Sequence, residues 1–261
     1  MTKNEARLAA GSIVAGAKDT TERVRTIFDD SKRLAVMDAE RREATIAEVL
    51  RDAGVPARYL DRSFATYHRV DGTRGGLEAA RRAAEESSGL LLLGRPGVGK
   101  THIAVAILRR RVDLWLTKYP EESGLSPAVY YTRSGERVED PDDIVAWTRP
   151  AFRSRFVVVP DLLDAMRLRI TEPGPDPLAP LITCSLLVLD DLGREKASEW
   201  VLDRLYRLVN ARYNERLATV ATTNFGLDDL ARRGYEPMVS RLVEDAAVVR
   251  LTASDYRMGQ D

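Results

Sequence analysis

Leu90-Leu91-Leu92-Leu93-Gly94-Arg95-Pro96-Gly97-Val98-Gly99-Lys100-Thr101 decides the fold. Four leucines read as a short buried strand. A G-x-x-x-x-G-K-[ST] run follows at once, and the helical stretch Thr101–Arg111 follows that. Strand, glycine-rich turn and helix, in that order, are what a phosphate-binding loop requires. Gly94, Gly97 and Gly99 let backbone N–H groups converge on phosphate oxygens, with Pro96 and Val98 between them. The helix start adds its partial positive charge. Lys100 is expected to reach the β- and γ-phosphates of ATP, and the Thr101 hydroxyl to ligate Mg²⁺. His102 falls in the first helical turn beyond, near the nucleotide, as a helix-start residue rather than a catalytic group.

About 90 residues on, Leu186-Leu187-Val188-Leu189 ends in Asp190-Asp191. A buried strand delivers its last residues to the C-terminal edge of a parallel sheet, where ligands bind. Asp190 is placed to hold Mg²⁺, directly or through water. Asp191 is placed to orient or deprotonate an attacking water. Further apolar runs stand at Phe156–Val159, Leu217–Ala221 and Ala246–Leu251, with amphipathic stretches between most of them. Strands alternating with helices predict an α/β fold, a five-stranded and mostly parallel sheet covered on both faces. The clearest helix is Ser198–Glu215, with Val201, Leu202, Leu205, Leu208 and Val209 on one side.

Upstream, residues 1–53 read as helical, with Ile46, Val49, Leu50 and Ala53 as an apolar stripe broken by Gly54-Val55-Pro56. Arg74–Gly76 reads as a loop and Leu77–Ser87 as helix. The segment Tyr119–Arg155 interrupts the strand–helix rhythm as an insertion. It is expected to hold a hairpin, Val129–Arg133 with Arg137–Glu139, and a short helix from Pro141 to near Thr148. Its seven acids and five arginines are not a basic clamp for DNA.

Composition narrows the classes further. With 40 basic and 40 acidic side chains the chain is no uniformly basic binder, although a local basic patch remains open. One cysteine, Cys184, rules out an intramolecular disulfide framework, and with His68 and His102 it leaves too few soft ligands for structural zinc. Cys184 reads as a small core residue. No run approaches a membrane span. Leu8–Ala17 faintly mimics a signal peptide but is Ala/Gly-rich and preceded by Glu5, so the expected location is cytoplasmic.

Taken in order, Gly94–Thr101, Leu186–Gly193, Thr222-Thr223-Asn224, Val239–Leu242 and Asp255-Tyr256-Arg257 resemble the DnaC/IstB-like AAA+ ATPases. That family holds bacterial replicative-helicase loaders and transposition helpers. The resemblance runs from about Arg58 to Arg257, outside the insertion, and Gly54–Tyr67 looks like the family's lead-in segment. It implies a AAA+ P-loop NTPase domain at 64–261 behind a small helical, partner-binding region at 1–63. It implies that Asn224 is sensor 1, positioning the lytic water. Arg241 matches the arginine finger, acting on the ATP of a neighbouring subunit in a homo-oligomer, and Arg257 matches sensor 2. Read alone, Thr-Thr-Asn-Phe-Gly suits a strand-ending turn, and Arg241 and Arg257 suit a surface helix and a tail. Asp191 stands where most AAA+ chains carry Glu, one methylene longer. Only 37 residues follow Asn224, too few for a separate C-terminal helical lid.

The same resemblance suggests DNA contacts on the helix after Phe156–Val159. That helix is expected to begin near Asp161, with Leu162, Leu163, Met166 and Ile170 facing the core and Arg167 and Arg169 off that face. Phosphate contacts and a solvated polar face are both open for this pair of arginines. The readings that follow are a helicase loader holding single-stranded DNA, and a transposition helper on duplex DNA with a transposase as partner. A small-molecule P-loop kinase is a more distant third.

Overall fold

The computed structural model describes residues 38–67, 73–118, 130–131, 137–138 and 152–252. Helix α1 covers 38–52 within that range. Then come α2 (Arg74–Glu86), β1 (Gly89–Gly94), α3 (Lys100–Lys118), β2 (Tyr130–Tyr131), β3 (Arg137–Val138), β4 (Ser154–Val158), α4 (Val159–Thr171) and α5 (Ala179–Thr183). They are followed by β5 (Leu186–Leu192), α6 (Glu199–Asn214), β6 (Ala218–Thr223), α7 (Leu227–Arg232), α8 (Glu236–Glu244) and β7 (Ala246–Leu251).

The main sheet has five strands in the order β4-β5-β6-β1-β7, every pair parallel. Parallel strands need crossover helices, and these cover both faces. Alternation along β1 divides its leucines. Leu90 and Leu92 join α1, α2 and α3 in one core; Leu91 and Leu93 join α4, α6 and α8 in the other. That is why the strand is apolar at every position. β2 and β3 pair antiparallel, as the hairpin expectation had it. The helix expected from Pro141 lies outside the described residues, as do Leu8–Ala17 and His68.

Ile46, Leu50 and Ala53 are buried in the same core as Leu90 and Phe156, so α1 packs with the sheet. The chain leaving α1 also meets the outer strand: Phe156 N donates to the Ala53 carbonyl at 2.7 Å. β4 is an edge strand, and this bond occupies part of the edge that β5 does not pair.

Three expectations change. Arg74–Gly76 is the first turn of α2, not a loop. Its glycine serves contact: a Cβ on Gly76 would stand 2.5 Å from Leu251 Cδ2, so α2 lies hard against β7 only without one. α4 begins at Val159, with Pro160 in its first turn where no N–H is needed. Ile170 is not a core residue; it is 70% exposed. The stripe Val159, Leu162, Leu163 and Met166 is buried, whereas Leu168 and Ile170 in the last turns of α4 are exposed.

A buried arginine ties the lower part of the sheet together. Arg212 on α6 has no exposed surface. It donates from Nη1 to the carbonyls of Leu181 and Cys184 at 2.7 and 2.8 Å, from Nη2 to Ala218 O at 2.6 Å, and from Nε to Thr219 Oγ1 at 3.0 Å. These include carbonyls at the end of α5, which the helix itself cannot satisfy. Cys184, expected in the core, is 1% exposed beside this group, and burial pushes its thiol pKa up.

Candidate nucleotide site

The phosphate loop joins β1 to α3 at the C-terminal edge of the sheet. Gly97 and Gly99 have φ of 81° and 88°, the left-handed region that the tight turn needs. Gly99 is also crowded, since a Cβ there would sit 2.6 Å from the Tyr67 ring. Tyr67 donates its hydroxyl to Val98 O at 3.0 Å and meets His102 edge to face. His102 Nε2 donates to the Ser63 carbonyl at 2.9 Å and lies 3.3 Å from Thr66 Oγ1. The lead-in segment 63–67 therefore clasps the loop from outside.

Inside, two chains of contact converge. Lys100, largely buried, donates to Gly94 O at 2.8 Å, to Arg95 O at 2.9 Å and to Asn224 Oδ1 at 2.7 Å. Residues 124 positions apart thus meet at the loop mouth. Thr101 donates its hydroxyl to Asp190, with Oγ1 at 3.0 and 3.1 Å from the two carboxylate oxygens. Thr222 donates to Asp190 Oδ1 at 2.6 Å. Asp190 is buried, and that burial pushes its pKa up; the Thr222 bond opposes this, the neighbouring Asp191 adds to it, and Thr101 and Lys100 pull the other way. A buried carboxylate flanked by a hydroxyl is a hard oxygen set that gains from a divalent cation, so Thr101 and Asp190 fit Mg²⁺ by chemistry.

Asp191 owes its direction to an irregularity. The β5–β6 register runs to Leu189↔Ala221 and resumes at Leu192↔Thr223, with one extra residue on β5. Asp191 sits in that bulge at φ 59°, a conformation Asp tolerates. Its N–H donates to Thr222 Oγ1 at 3.1 Å, and its carboxylate pairs with Arg194 Nη1 at 3.1 Å. Sequence reasoning assigned no part to Thr222, Tyr67 or Arg194. The Thr-Thr-Asn run was the available signal for Thr222.

Other residues lie elsewhere. Arg241, on α8, lines a concavity of about 690 Å³ with Gly89, Thr219 and Ala246, the starts of β1, β6 and β7. The phosphate loop follows the other end of β1, roughly 16 Å of strand away. Arg241 therefore stands out of reach of the phosphate loop of its own chain. Arg167 pairs with Asp164 at 2.6 Å and lies 5.6 Å from the Trp200 ring; Arg169 Nη1 donates weakly to Glu172 O at 3.4 Å. Arg257 is outside the described residues. Among the described residues no helix is long and apolar enough to cross a membrane.

No family model matches the chain. The crystal structure of the DnaC helicase loader is similar over 76% of this chain and 100% of that one, at 26% identity and a TM-score of 0.54. The chain is thus similar to AAA+ proteins of the DnaC/IstB-like kind. DnaI shares the AAA+ fold over 77% of this chain and 93% of its own, at 21% identity and a TM-score of 0.53. A Pseudomonas aeruginosa protein, named for ATP binding and for insertion sequence IS21, is 24% identical over 179 residues. That match spans 67% of this chain and 54% of the relative, about half its length.

Proposed function

We propose that the chain is an ATP-hydrolysing, DNA-associated assembly factor, most like a DnaC-type replicative helicase loader on single-stranded DNA. The observation that carries the ATPase reading is the meeting of Lys100 and Asn224 at 2.7 Å, beside the Thr101–Asp190–Thr222 chain. Loop N–H groups and the Lys100 ammonium bind the β- and γ-phosphates. Asn224, on the same spot as that ammonium, orients the attacking water. Asp191 accepts the water's proton as its oxygen bonds to the γ-phosphorus and the bond to the β–γ bridging oxygen breaks, leaving ADP and phosphate. Thr101 and Asp190 would hold Mg²⁺, which would supply neutralisation of the phosphate charge. Arg241 offsets transition-state charge in a neighbour's site, so activity requires a homo-oligomer. Arg257 reads nucleotide in cis, and Arg167 and Arg169 contact phosphates of DNA.

The full coverage of the DnaC loader favours that reading over the transposition helper. The helper stays as the second reading because of the relative named for an insertion sequence. Residues 1–63 would grip the helicase, or else the transposase, in the cytoplasm. Fluorescence anisotropy of labelled single-stranded and duplex DNA, with a non-hydrolysable ATP analogue, separates the two. Preference for single strands is expected; preference for duplex favours the helper, and binding to neither removes the DNA role. Lys100→Ala is expected to abolish ATP hydrolysis, and unchanged turnover would overturn the site.

A further inference from the structure

Arg241 is held by three contacts. Its Nε donates to Asn210 Oδ1 at 2.6 Å, its Nη1 donates to Pro237 O at 3.1 Å, and its guanidinium carbon lies 4.7 Å from the Tyr206 ring centroid. Asn210 and Tyr206 stand four residues apart on α6, so a single helix face supplies both an acceptor and an aromatic shelf. All three partners are uncharged. They orient the guanidinium without neutralising it, which is what a group meant for someone else's anion needs. A long flexible cation left loose would lose rotamer freedom on docking; here that ordering is done on folding.

The surface beside it suits a protein contact. An apolar groove of about 320 Å³ is lined by Leu202, Tyr206, Gly234, Pro237 and Met238. Tyr206 belongs to both features, with its ring under Arg241 and along the groove. On the other side of Arg241 lies the concavity of about 690 Å³ at the start of the strands, a charged hollow lined by Arg216 and by the carboxylates Glu86, Glu244 and Asp245. Apolar contact, fixed cation and polar hollow are thus contiguous on the α6–α8 face.

We propose that Asn210 and Tyr206 are positioning residues that aim Arg241 at the nucleotide of a second copy of this chain, which docks on the α6–α8 face through that groove. This rests on the ATPase reading with Arg241 acting between subunits. The test measures kcat, KM and the affinity of a fluorescent ATP analogue for the full chain carrying Asn210→Ala or Tyr206→Leu. Each variant is expected to lose kcat by about tenfold to a hundredfold, the scale of a misplaced catalytic group, with analogue affinity retained. Tyr206→Phe, which keeps the ring, is expected to recover most of the loss seen with Tyr206→Leu. Mixing Asn210→Ala with Lys100→Ala is expected to restore turnover, because the second protein brings a correctly held Arg241 to intact sites on the first. A packing defect would not be rescued by mixing. Wild-type kcat in both variants, or a loss that mixing does not repair, overturns the proposal. If Arg241→Ala itself turns over like the wild type, the inter-subunit reading beneath it has failed. If the wild-type chain hydrolyses no ATP, the ATPase reading has failed.

Discussion

Asp190 shows what the site costs the fold. Its carboxyl is buried and its pKa raised, so the folded chain holds that proton more tightly than the unfolded chain does. The sign follows from linkage: stability is greatest with the proton on and falls as pH rises through the raised pKa. At neutral pH Asp190→Asn is expected to raise the melting temperature of the nucleotide-free chain by about 3 °C, with a flatter dependence on pH. The same variant is expected to lose Mg²⁺-dependent nucleotide binding, and a lower melting temperature would refute the buried-charge account. Two buried arginines sharpen the point. Arg212 has an acceptor for each of its three nitrogens, whereas Nη1 of Arg111 is buried with no hydrogen-bond partner among the described residues, and burial pushes that pKa down to about 10. Arg212→Met would orphan several carbonyls and is expected to cost roughly 3 kcal/mol in urea denaturation. Arg111→Met is expected to be neutral or stabilising by about 1 kcal/mol in the same measurement. Equal losses from both would show that hydrogen bonding is not what distinguishes them.

Among the elements, the segment 63–67 couples most directly to the phosphate loop. Tyr67 bonds Val98 O and fills the space over Gly99, while Ser63 and Thr66 hold His102. Tyr67→Phe keeps the ring and removes only the hydroxyl. It is expected to weaken ATP-analogue binding by several fold while costing about 1 kcal/mol of stability; unchanged affinity would mean the clasp does not shape the loop. Such an element is hard to read in a sequence. The phosphate loop, the five strands and Asp190 were legible because local pattern alone forces them: apolar runs, spaced glycines, a carboxylate at a strand end. Tyr67 was not, because its role depends on how a segment returns to a loop about 30 residues later. The β5 bulge was invisible too, since Leu-Asp-Asp-Leu has no residue that marks one. Arg74–Gly76 misled for the opposite reason. Gly-Gly signals a loop locally, but here a tertiary contact with β7 requires the missing side chain. Ile170 fits the helical stripe of α4, yet it is exposed, because spacing along a helix does not say where the core beneath it ends.

For the molecule as a whole, the distance between the two ends of β1 matters most. Lys100 and Asn224 meet at one edge of the sheet and Arg241 stands at the other. If Arg241 acts between subunits as proposed, a single chain is an incomplete enzyme. Turnover per chain is expected to rise with protein concentration and then level off as subunits associate. A constant specific activity from nanomolar to micromolar would indicate a site complete in one copy. The contact between the end of α1 and strand β4 has a mechanical consequence. The Ala53 carbonyl is bonded to Phe156, and Ile46 and Leu50 are sunk in the core under Leu90. A partner pulling on the N-terminal side of α1 would load that junction in tension, and the strain would pass to the outer strand of the sheet rather than be absorbed by a slack tether. Helix α1 is attached to the sheet as a lever is attached to its pivot.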